Sequence, residues 1–500
     1  MFYRAGRAAL LTSPLVSANR LPVYGLASTN SKLLFRNMAT APSSASNNNN
    51  NNNEVIAHQE FGTRTLILNR PKALNALNRN MINIITNKLK EWKGSDLCSL
   101  VVLKSNSPKA FCAGGDVVQV SKLAKARDPQ AAAFFNEEYT MDHFIATYNK
   151  PIVSLISGIT MGGGVGITFP TPFRVATETT MFAMPETQIG FFPDVAASYF
   201  LPKLDGQLGK YLGLTGARLN GIDVFYSGIA THFVPTERIP LLEKRLQDIE
   251  TPNYDAVNKV IEEFVEQPSS SPGNGQSQFS LAPLRDSIDR CFGKQTIEEI
   301  YQALEEESKV QPEWAQSTIK LLNRMSPTSL KITLEMLQTF NKMSLKRCYA
   351  AEYQLAQKFL NNHDVHEGIS EQLITKSRNP KWNPPTLGEV SLDSIRKEYF
   401  SNPSKLSVDF INKDKDHPSV ELFKYALPSE DKIKRVVKGD ILNSSGQKLT
   451  TRDEIVGYFE LSKGFKIGVA EKVNEVLDRK CVEESNPNGG GPSVLVWKDY

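Results

Sequence analysis

Two glycine-rich segments, each preceded by a short apolar run, restrict the fold of this chain more than any other feature. The apolar residues 100–103 precede a glycine pair in segment 110–116, and the run Ile152–Ile156 leads into the glycine-rich segment 158–166. A helical pattern follows each segment. This succession is typical of α/β folds, where ligands bind at the carboxyl ends of strands and at helix N-termini. Both turns are therefore predicted to contribute to one pocket.

Glycines at such turns allow backbone N–H groups to approach a ligand closely. Two N–H groups that converge on one oxygen form an oxyanion hole, and losing one donor typically lowers the rate about 100- to 1000-fold. The alternative is that the glycines only permit tight packing of strand and helix. Neither segment has the Gly-x-Gly-x-x-Gly spacing or the Gly-Lys-Ser/Thr ending of nucleotide sites. The predicted chemistry is attack next to a carbonyl group.

Alternating strand and helix patterns in the first half of the chain predict an α/β class. A mainly helical pattern follows residue 280 and includes a predicted helix start at Ser326-Pro327. The predicted strands are Thr63–Leu68, 100–103, Ile152–Ile156 and Phe173–Ala176, and the predicted helices are 81–92, 134–146, a segment after Gly163, 296–306 and 328–340.

A chain of 500 residues exceeds one typical core, so about two to three domains are expected. The first segment contains Arg, Ser, Ala and Leu without an acid, which predicts import into the mitochondrial matrix; the alternative is a disordered end without a targeting role. The predicted divisions are a transit peptide at 1–46, a disordered asparagine-rich joint at 47–53, a core at 54–266, a linker at 267–280, a helical region at 281–386 and an appended tail of unknown role at 387–500.

The charge of the chain gives no reason to expect nucleic acid as a direct partner. The formal net charge is +4, but five cations precede Glu54, so the remainder is close to neutral. Proteins that bind nucleic acid usually have a strong basic excess on one face. No run approaches the roughly 20 apolar residues needed to span a bilayer, so no membrane association is expected.

The cysteines and histidines of the chain show no catalytic or metal-binding pattern. Five cysteines are widely spaced without a Cys-x-x-Cys pair, which predicts free thiols and no metal site. Cys112, beside the first glycine turn, is predicted to be a buried thiol rather than a nucleophile. His143 and His232 are predicted to have structural roles.

Two carboxylates stand eight residues apart in an apolar segment downstream of the glycine turns. Glu186 and Asp194 lie among Met, Phe, Ile and Pro in segment 184–194. Apolar surroundings raise the pKa of a carboxyl group, and two acids in different environments can divide acid and base roles near neutral pH. The alternative is two ordinary surface acids. The glycine turns upstream favour a site.

Four segments resemble the crotonase (enoyl-CoA hydratase/isomerase) superfamily in their order and spacing. They are 69–77 (NRPKALNAL), 111–116 (FCAGGD), 158–166 (GITMGGGVG) and 184–186 (MPE). The resemblance covers residues 55–235 and implies a crotonase-like spiral of ββα turns that binds an acyl-CoA and polarises its thioester carbonyl. By position it assigns the two oxyanion-hole amides to Gly115 and Gly163. CoA would be part of the substrate, so no cofactor is expected.

One departure from the pattern of hydratases indicates the reaction. Hydratases of this superfamily have a second glutamate three residues after the oxyanion glycine of the second turn, where this chain has Gly166. Glu138, Glu186 and Asp194 are instead similar to the pattern of 3-hydroxyisobutyryl-CoA hydrolases, although His366 replaces a usual aromatic residue. Segments beyond the core also resemble that branch, namely 325–333 (MSPTSLKIT), 363–369 (HDVHEGI) and 380–382 (PKW).

This resemblance implies hydrolysis of 3-hydroxyisobutyryl-CoA, as in mitochondrial valine catabolism. Glu186 would either attack the thioester carbonyl to form an anhydride or activate the water that attacks it. Asp194 would hydrogen-bond the substrate hydroxyl and protonate the leaving thiolate. Glu138 would help to hold that hydroxyl or the water; the alternative is a solvated helix carboxylate. Arg70 and Lys72 would bind the phosphates or adenine end of CoA, unless they are an exposed basic pair at a turn.

A second function, from a different class, is also compatible with the sequence. Fungal proteins that resemble this chain include components of the mitochondrial ribosomal small subunit, which reuse the hydrolase fold and have C-terminal additions. The long tail favours that structural role. The glycines and acids of the hydrolase pattern favour the enzyme, because a structural role gives no reason to keep acids in an apolar pocket. The two roles can coexist, and the sequence predicts no oligomeric state.

Overall fold

The computed structural model describes residues 53–266, 279–401, 407–485 and 493–498. All of these belong to the unit Asn52–Tyr500, within which contacts are continuous. The expected transit peptide, nearly all of the asparagine-rich joint and most of the expected linker lie outside the described residues. Within the described ranges, no helix combines the length and the apolar character needed to cross a membrane.

The apolar runs of the first half form two sheets. The strands are β1 (Val55–Glu60), β2 (Thr63–Leu68), β3 (Leu100–Ser105), β4 (Ala110–Cys112), β5 (Ile152–Ile156), β6 (Ile159–Met161), β7 (Phe173–Ala176), β8 (Met181–Ala183), β9 (Leu219–Asn220) and β10 (His232–Phe233). The larger sheet has the order β1-β2-β3-β5-β7-β10 and is parallel except for its first pair. The smaller has the order β4-β6-β8-β9 and is parallel except for its last pair.

Successive strands alternate between the two sheets, and this alternation produces a spiral. β3, β5 and β7 lie in the larger sheet, and each precedes a three-residue strand of the smaller sheet. Helices follow the first two of these strand pairs. The repeated ββα turns confirm the predicted α/β, crotonase-like class. The short strands were not predicted, because three residues are too few to show an alternating pattern.

The predicted helices are all present, with ends that differ from the predictions by a few residues. Side-chain caps explain several starts: Asn78 accepts a hydrogen bond from the Met81 amide, and Thr296 and Glu299 form a capping box. The core helices are Arg79–Lys93, Val117–Lys125, Gln130–Ala146, Gly163–Thr168, Ala197–Phe200, Leu208–Thr215, Ile222–Tyr226, Ile239–Gln247 and Tyr254–Glu262. The helices that follow are Arg285–Phe292, Ile297–Glu307, Pro312–Leu322, Pro327–Thr339, Leu345–Phe359 and His363–Ile369, which confirms the mainly helical C-terminal region.

The tail after residue 387 folds against the core. Its elements are the helices Leu392–Ile395, Glu430–Lys438, Arg452–Ser462 and Val469–Lys480 and an antiparallel pair of strands, β11 (Cys481–Glu484) and β12 (Val494–Trp497). Tyr425 stacks on Phe173 of β7 with ring centroids 4.6 Å apart. The buried guanidinium of Arg174 donates a hydrogen bond to the Leu422 carbonyl at 2.9 Å. These contacts make the tail part of the same hydrophobic core.

Candidate active site

The two glycine turns lie side by side at one edge of the smaller sheet. β4 and β6 are parallel neighbours, so the turns that follow them meet. Gly114 and Gly162 have φ values of +113° and +46°, a region that residues with side chains rarely adopt. The amide nitrogen of Gly115 lies 3.2 Å from the position that a Cβ on Gly163 would occupy. The predicted convergence of the two turns is therefore present.

Among the described residues, neither the Gly115 nor the Gly163 backbone N–H group has an acceptor. Gly163 is the first residue of its helix, so its amide has no acceptor within that helix. Among the described residues the Gly115 amide donates no hydrogen bond, although its two neighbours in the chain bond to Leu77. Two adjacent donors of this kind can stabilise an oxyanion.

Two carboxylates lie directly against these turns. Oε1 of Glu138, on the helix before β5, contacts the position of a Cβ on Gly163 and lies 3.7 Å from the corresponding position on Gly115. Oε1 of Glu186, at the start of the turn Glu186–Ile189, lies 2.9 Å from the position of a Cβ on Gly162. Side chains larger than hydrogen at these glycines would displace the acids.

Asp194 belongs to the same buried group. Its Oδ2 accepts a hydrogen bond of 2.6 Å from the hydroxyl of Tyr139, which is adjacent to Glu138 in the chain. Glu138, Glu186 and Asp194 are only 2%, 7% and 6% exposed. The alternatives of surface acids and of a solvated helix carboxylate are therefore excluded, while the catalytic roles of the three acids stay predictions.

Burial changes the protonation of this group. It raises the pKa of Glu186 well above the usual value, and the charge of Asp194 adds to the effect. Burial likewise raises the pKa of Glu138, with contributions from Asp194 and Glu186. The pKa of Asp194 rises to about 7 through burial, although the Tyr139 hydrogen bond opposes the change. Asp194 can therefore hold or release a proton near neutral pH.

Glu352, which the sequence did not indicate, holds the loop that carries Asp194. Its carboxylate accepts hydrogen bonds from the amides of Ala196 (2.6 Å) and Ser198 (2.9 Å) and from the Ser198 hydroxyl. Val195 and Ala196 have φ values of 54° and 65°, which cost energy for residues with a Cβ. Glu352 stabilises this strained backbone from a helix about 155 residues away in the chain, and no local sequence signal marks that contact.

Asp142 is a further acid that sequence reasoning missed. It is fully buried, and neither carboxyl oxygen has a hydrogen-bond partner among the described residues. Its Oδ2 lies 2.5 Å from the position of a Cβ on Gly166, where hydratases have their second glutamate. Asp142, on the helix Gln130–Ala146, thus lies against Gly166, the position at which this chain lacks a glutamate. Its spacing of four residues from Glu138 puts both acids on one helix face and could have indicated it.

The two basic residues proposed to bind CoA have different surroundings. Arg70 lies beside the first glycine turn and pairs with Asp116 at 2.9 Å and Glu54 at 3.4 Å. Lys72 is exposed in the turn Pro71–Ala73. Neither the ion pairs of Arg70 nor the exposure of Lys72 tests the assignment of these residues to CoA, which stays a prediction.

A groove of about 290 Å³ runs beside Gly115. Phe134, whose ring lies 2.9 Å from the position of a Cβ on Gly115, forms one wall, and Arg79 lies at the edge. The Arg79 guanidinium pairs with Glu137. Arg79 is therefore a cation that lines the same groove as Phe134, and the sequence motifs did not indicate it.

One cysteine and three histidines considered from the sequence have surroundings that fit structural roles. Burial raises the pKa of Cys112 to about 12, which disfavours a thiolate nucleophile. Burial lowers the pKa of His232 to about 4. His143 bonds the Lys415 carbonyl in the tail, and His366 bonds the Ser121 hydroxyl at 2.9 Å.

A ββα spiral with two adjacent glycine amides beside buried carboxylates defines a crotonase-fold protein. The sequence model of the enoyl-CoA hydratase/isomerase family matches residues 63–400, and the chain belongs to this family. A solved structure of a carnitinyl-CoA dehydratase from Mycobacterium thermoresistibile is 35% identical, with a TM-score of 0.65, and the match covers 72% of this chain and 100% of that chain.

Similar curated proteins fall into two groups. The chain is 38% identical to small ribosomal subunit protein mS47 of Neurospora crassa, over 89% of this chain and 88% of that protein. It is 44% identical to the mitochondrial 3-hydroxyisobutyryl-CoA hydrolase of Danio rerio and 42% identical to that of Homo sapiens, each over 70% of this chain and 90% and 89% of the relative. The first match includes part of the tail, because residues 1–386 amount to less than 89% of the chain.

Proposed function

We propose that this chain hydrolyses a 3-hydroxyacyl-CoA thioester, with 3-hydroxyisobutyryl-CoA as its preferred substrate, in the mitochondrial matrix. The observation that carries the proposal is the buried group of Glu138, Glu186 and Asp194, of which Glu138 and Glu186 lie directly against the two glycine turns. Gly166 provides no second glutamate for adding water to a double bond. The hydrolase relatives, which are named as mitochondrial, support the same substrate and compartment.

The geometry suggests how the residues would share the reaction. The amides of Gly115 and Gly163 would donate hydrogen bonds to the thioester oxygen as it becomes negative. Glu186 would first lose the proton that burial favours. Its carboxylate would then either attack the carbonyl carbon, giving an anhydride that water cleaves, or take a proton from the attacking water. Each route consumes one water and yields the free acid and CoA. Asp194, with a pKa of about 7, would bind the substrate hydroxyl and supply the proton for the thiolate.

The variant Glu186→Gln tests this proposal directly. It keeps the volume of the side chain but removes the base or nucleophile, so thiol release from 3-hydroxyisobutyryl-CoA should fall to background. The circular dichroism spectrum of the variant should match that of the wild type. Its thermal midpoint should equal or exceed the wild-type midpoint, because a neutral group replaces a buried acid. Undiminished turnover by this variant, or rapid hydration of crotonyl-CoA by the wild type, would contradict the assignment.

A structural role in the small subunit of the mitochondrial ribosome is the second candidate. The observation that favours it is the match to protein mS47, which extends into the tail, whereas the hydrolase matches cover less of the chain. A stable ribosomal constituent should co-sediment with the small subunit in gradients at raised salt. Complete loss of the protein from the small-subunit fraction at moderate salt would contradict this role and favour a free enzyme. Hydrolase activity in the co-sedimenting fraction would indicate that both roles coexist.

A further inference from the structure

The helix Gln130–Ala146 has two faces with different surroundings. Glu138 and Asp142 lie on the face toward the glycine turns. Asn136, Thr140 and His143 lie on the opposite side of the helix, since their spacing of four and three residues defines one stripe. A segment of the tail, residues 407–419, runs along this second stripe, and we call this segment the strap.

The start of the strap is fastened to the first turn of the stripe. Asn136 donates from Nδ2 to the Ser407 carbonyl at 2.9 Å and accepts at Oδ1 from the Asp409 amide at 3.3 Å. The Thr140 hydroxyl donates to the Asp409 carbonyl at 3.3 Å. These bonds pair helix side chains with strap backbone, so they depend on the path of the strap and little on its side chains.

The later part of the strap is fastened near the end of the helix. The His143 ring lies 4.5 Å from the Phe410 ring, and its Nε2 bonds the Lys415 carbonyl at 2.9 Å. Asn412 donates from Nδ2 to the hydroxyl of Thr147 at 2.7 Å. Contacts therefore continue over three turns of the helix, along the whole length that carries the two buried acids.

The strap also joins this helix to its two neighbours. Oδ1 of Asn412 accepts from Nζ of Lys93, at the end of helix Arg79–Lys93, at 2.8 Å. The Lys346 amide, in helix Leu345–Phe359, donates to the Asp416 carbonyl at 3.3 Å. That third helix carries Glu352, which holds the Asp194 loop. The strap thus fixes two helices that contribute buried acids.

We propose that the strap is a positioning element for the acyl-CoA site, which holds Glu138 in register with the oxyanion glycines. The inference rests on the proposed hydrolase function. Glu138 already contacts the position of a Cβ on Gly163, so the site has little tolerance for movement of the helix. A misplacement of about 1 Å can lower a rate on the order of 100-fold. The family match covers residues 63–400, so the strap lies outside it.

The double variant Asn136→Ala/Asn412→Ala tests the proposal, with Asn474→Ala as a matched tail control. Asn474 accepts a hydrogen bond from Arg452 in the tail, and among the described residues it has no hydrogen bond to the strap. The double variant should lower kcat for 3-hydroxyisobutyryl-CoA about tenfold or more, with KM within about threefold. Hydrogen exchange should accelerate at the amides of residues 136–146. The control should leave kcat, KM and exchange unchanged.

Two readouts separate this inference from the proposed function. Unchanged kcat in a folded double variant, or unchanged exchange in the helix, would overturn the positioning role. If the wild type released no thiol, the proposed hydrolase function would fail, and the catalytic role of the strap would fail with it. Hydrogen exchange would still show whether the strap holds the helix. If the double variant does not fold, Thr140→Val removes one strap bond at constant volume and should give the same changes on a smaller scale.

Discussion

The active site and the junction of core and tail both hold charged side chains with little solvent exposure, and the two regions differ in one respect. At the active site, Glu138, Asp142 and Glu186 have no cation among their hydrogen-bond or ion-pair partners in the described residues. At the junction of core and tail, three acids with side chains 10%, 14% and 11% exposed each have a cation beside them. The junction pairs are Lys472 with Asp205 at 2.7 Å, Arg479 with Glu430 at 2.6 Å and Arg479 with Glu475 at 2.9 Å.

The two clusters shift carboxyl pKa values in opposite directions. Burial would raise the pKa of Asp205, but the charges of Lys472 and Arg285 outweigh it and lower the pKa. Burial raises the pKa of Asp194 to about 7, and no cation opposes it. Paired acids stay ionised and hold the tail in place, whereas unpaired acids can exchange protons. The partner of a carboxylate, more than its burial, therefore separates a structural role from a chemical one in these two regions.

The largest effect is expected from breaking a junction pair. Lys472→Met leaves Asp205 with one cation fewer in a buried setting, which should lower the free energy of unfolding by about 3 kcal/mol or more. Urea denaturation measures this change. The folded variant should keep kcat within about twofold, because the pair does not touch the site. A large loss of kcat with unchanged stability would show that the junction is not merely structural.

The next effect concerns the oxyanion glycines. The Cβ of Gly163→Ala would press on Glu138 and approach the Gly115 amide, so kcat should fall about 100- to 1000-fold, as when an oxyanion donor is lost. Gly457→Ala is the matched control, since nothing lies within 4 Å of its added Cβ. Steady-state thiol release measures both variants. Equal activity of the two would show that the turns are only packing devices.

The pH dependence of stability should differ in sign between the clusters. The folded protein keeps the Asp194 proton to about pH 7, whereas the unfolded chain loses it near the ordinary value of 3.8. The stability from this proton is complete below about pH 4 and is lost as the pH rises toward 7. Asp194→Asn should therefore gain up to roughly 4 kcal/mol over the wild type at pH 8, and little at pH 4.

Asp205→Asn provides the opposite case for the same urea titration. Its folded pKa is lowered, so its contribution is present above the ordinary carboxyl pKa and is lost as the pH falls through the folded value. This variant should be destabilised at pH 8 and approach the wild type in acid. The same sign for both variants would remove the distinction between the clusters.

The smallest effect is expected at Glu352, which acts through the Asp194 loop. Glu352→Gln keeps the volume of the side chain but replaces one acceptor oxygen by an NH₂ donor. The variant side chain therefore cannot accept hydrogen bonds from the Ala196 and Ser198 amides with two oxygens, as Glu352 does. Loosening of the loop should lower kcat about tenfold. Ser198→Ala removes only the hydroxyl contact and should change kcat by less. Equal kcat for Glu352→Gln and the wild type would show that the loop holds Asp194 without this carboxylate.

Local sequence signals predicted much of the fold and part of the site. The strands at residues 63–68, 152–156 and 173–176 were predicted with their observed ends, because buried apolar runs between turn residues have few alternatives. Gly115 and Gly163 were assigned through motifs that reflect backbone geometry. Asp142 and Glu352 were missed, because a helix sequence does not say which of its faces meets a glycine on another element.

The order of strands, glycine turns and helices, with the two acids beside them, follows from local sequence, because backbone preference and apolar patterning act over short distances. Tertiary packing brings Asp142 against Gly166, the Glu352 carboxylate against the Asp194 loop, and the strap in the tail against the Glu138 helix. Those contacts join residues far apart in the chain. They depend on which surfaces approach when the elements pack, and no local preference encodes that approach.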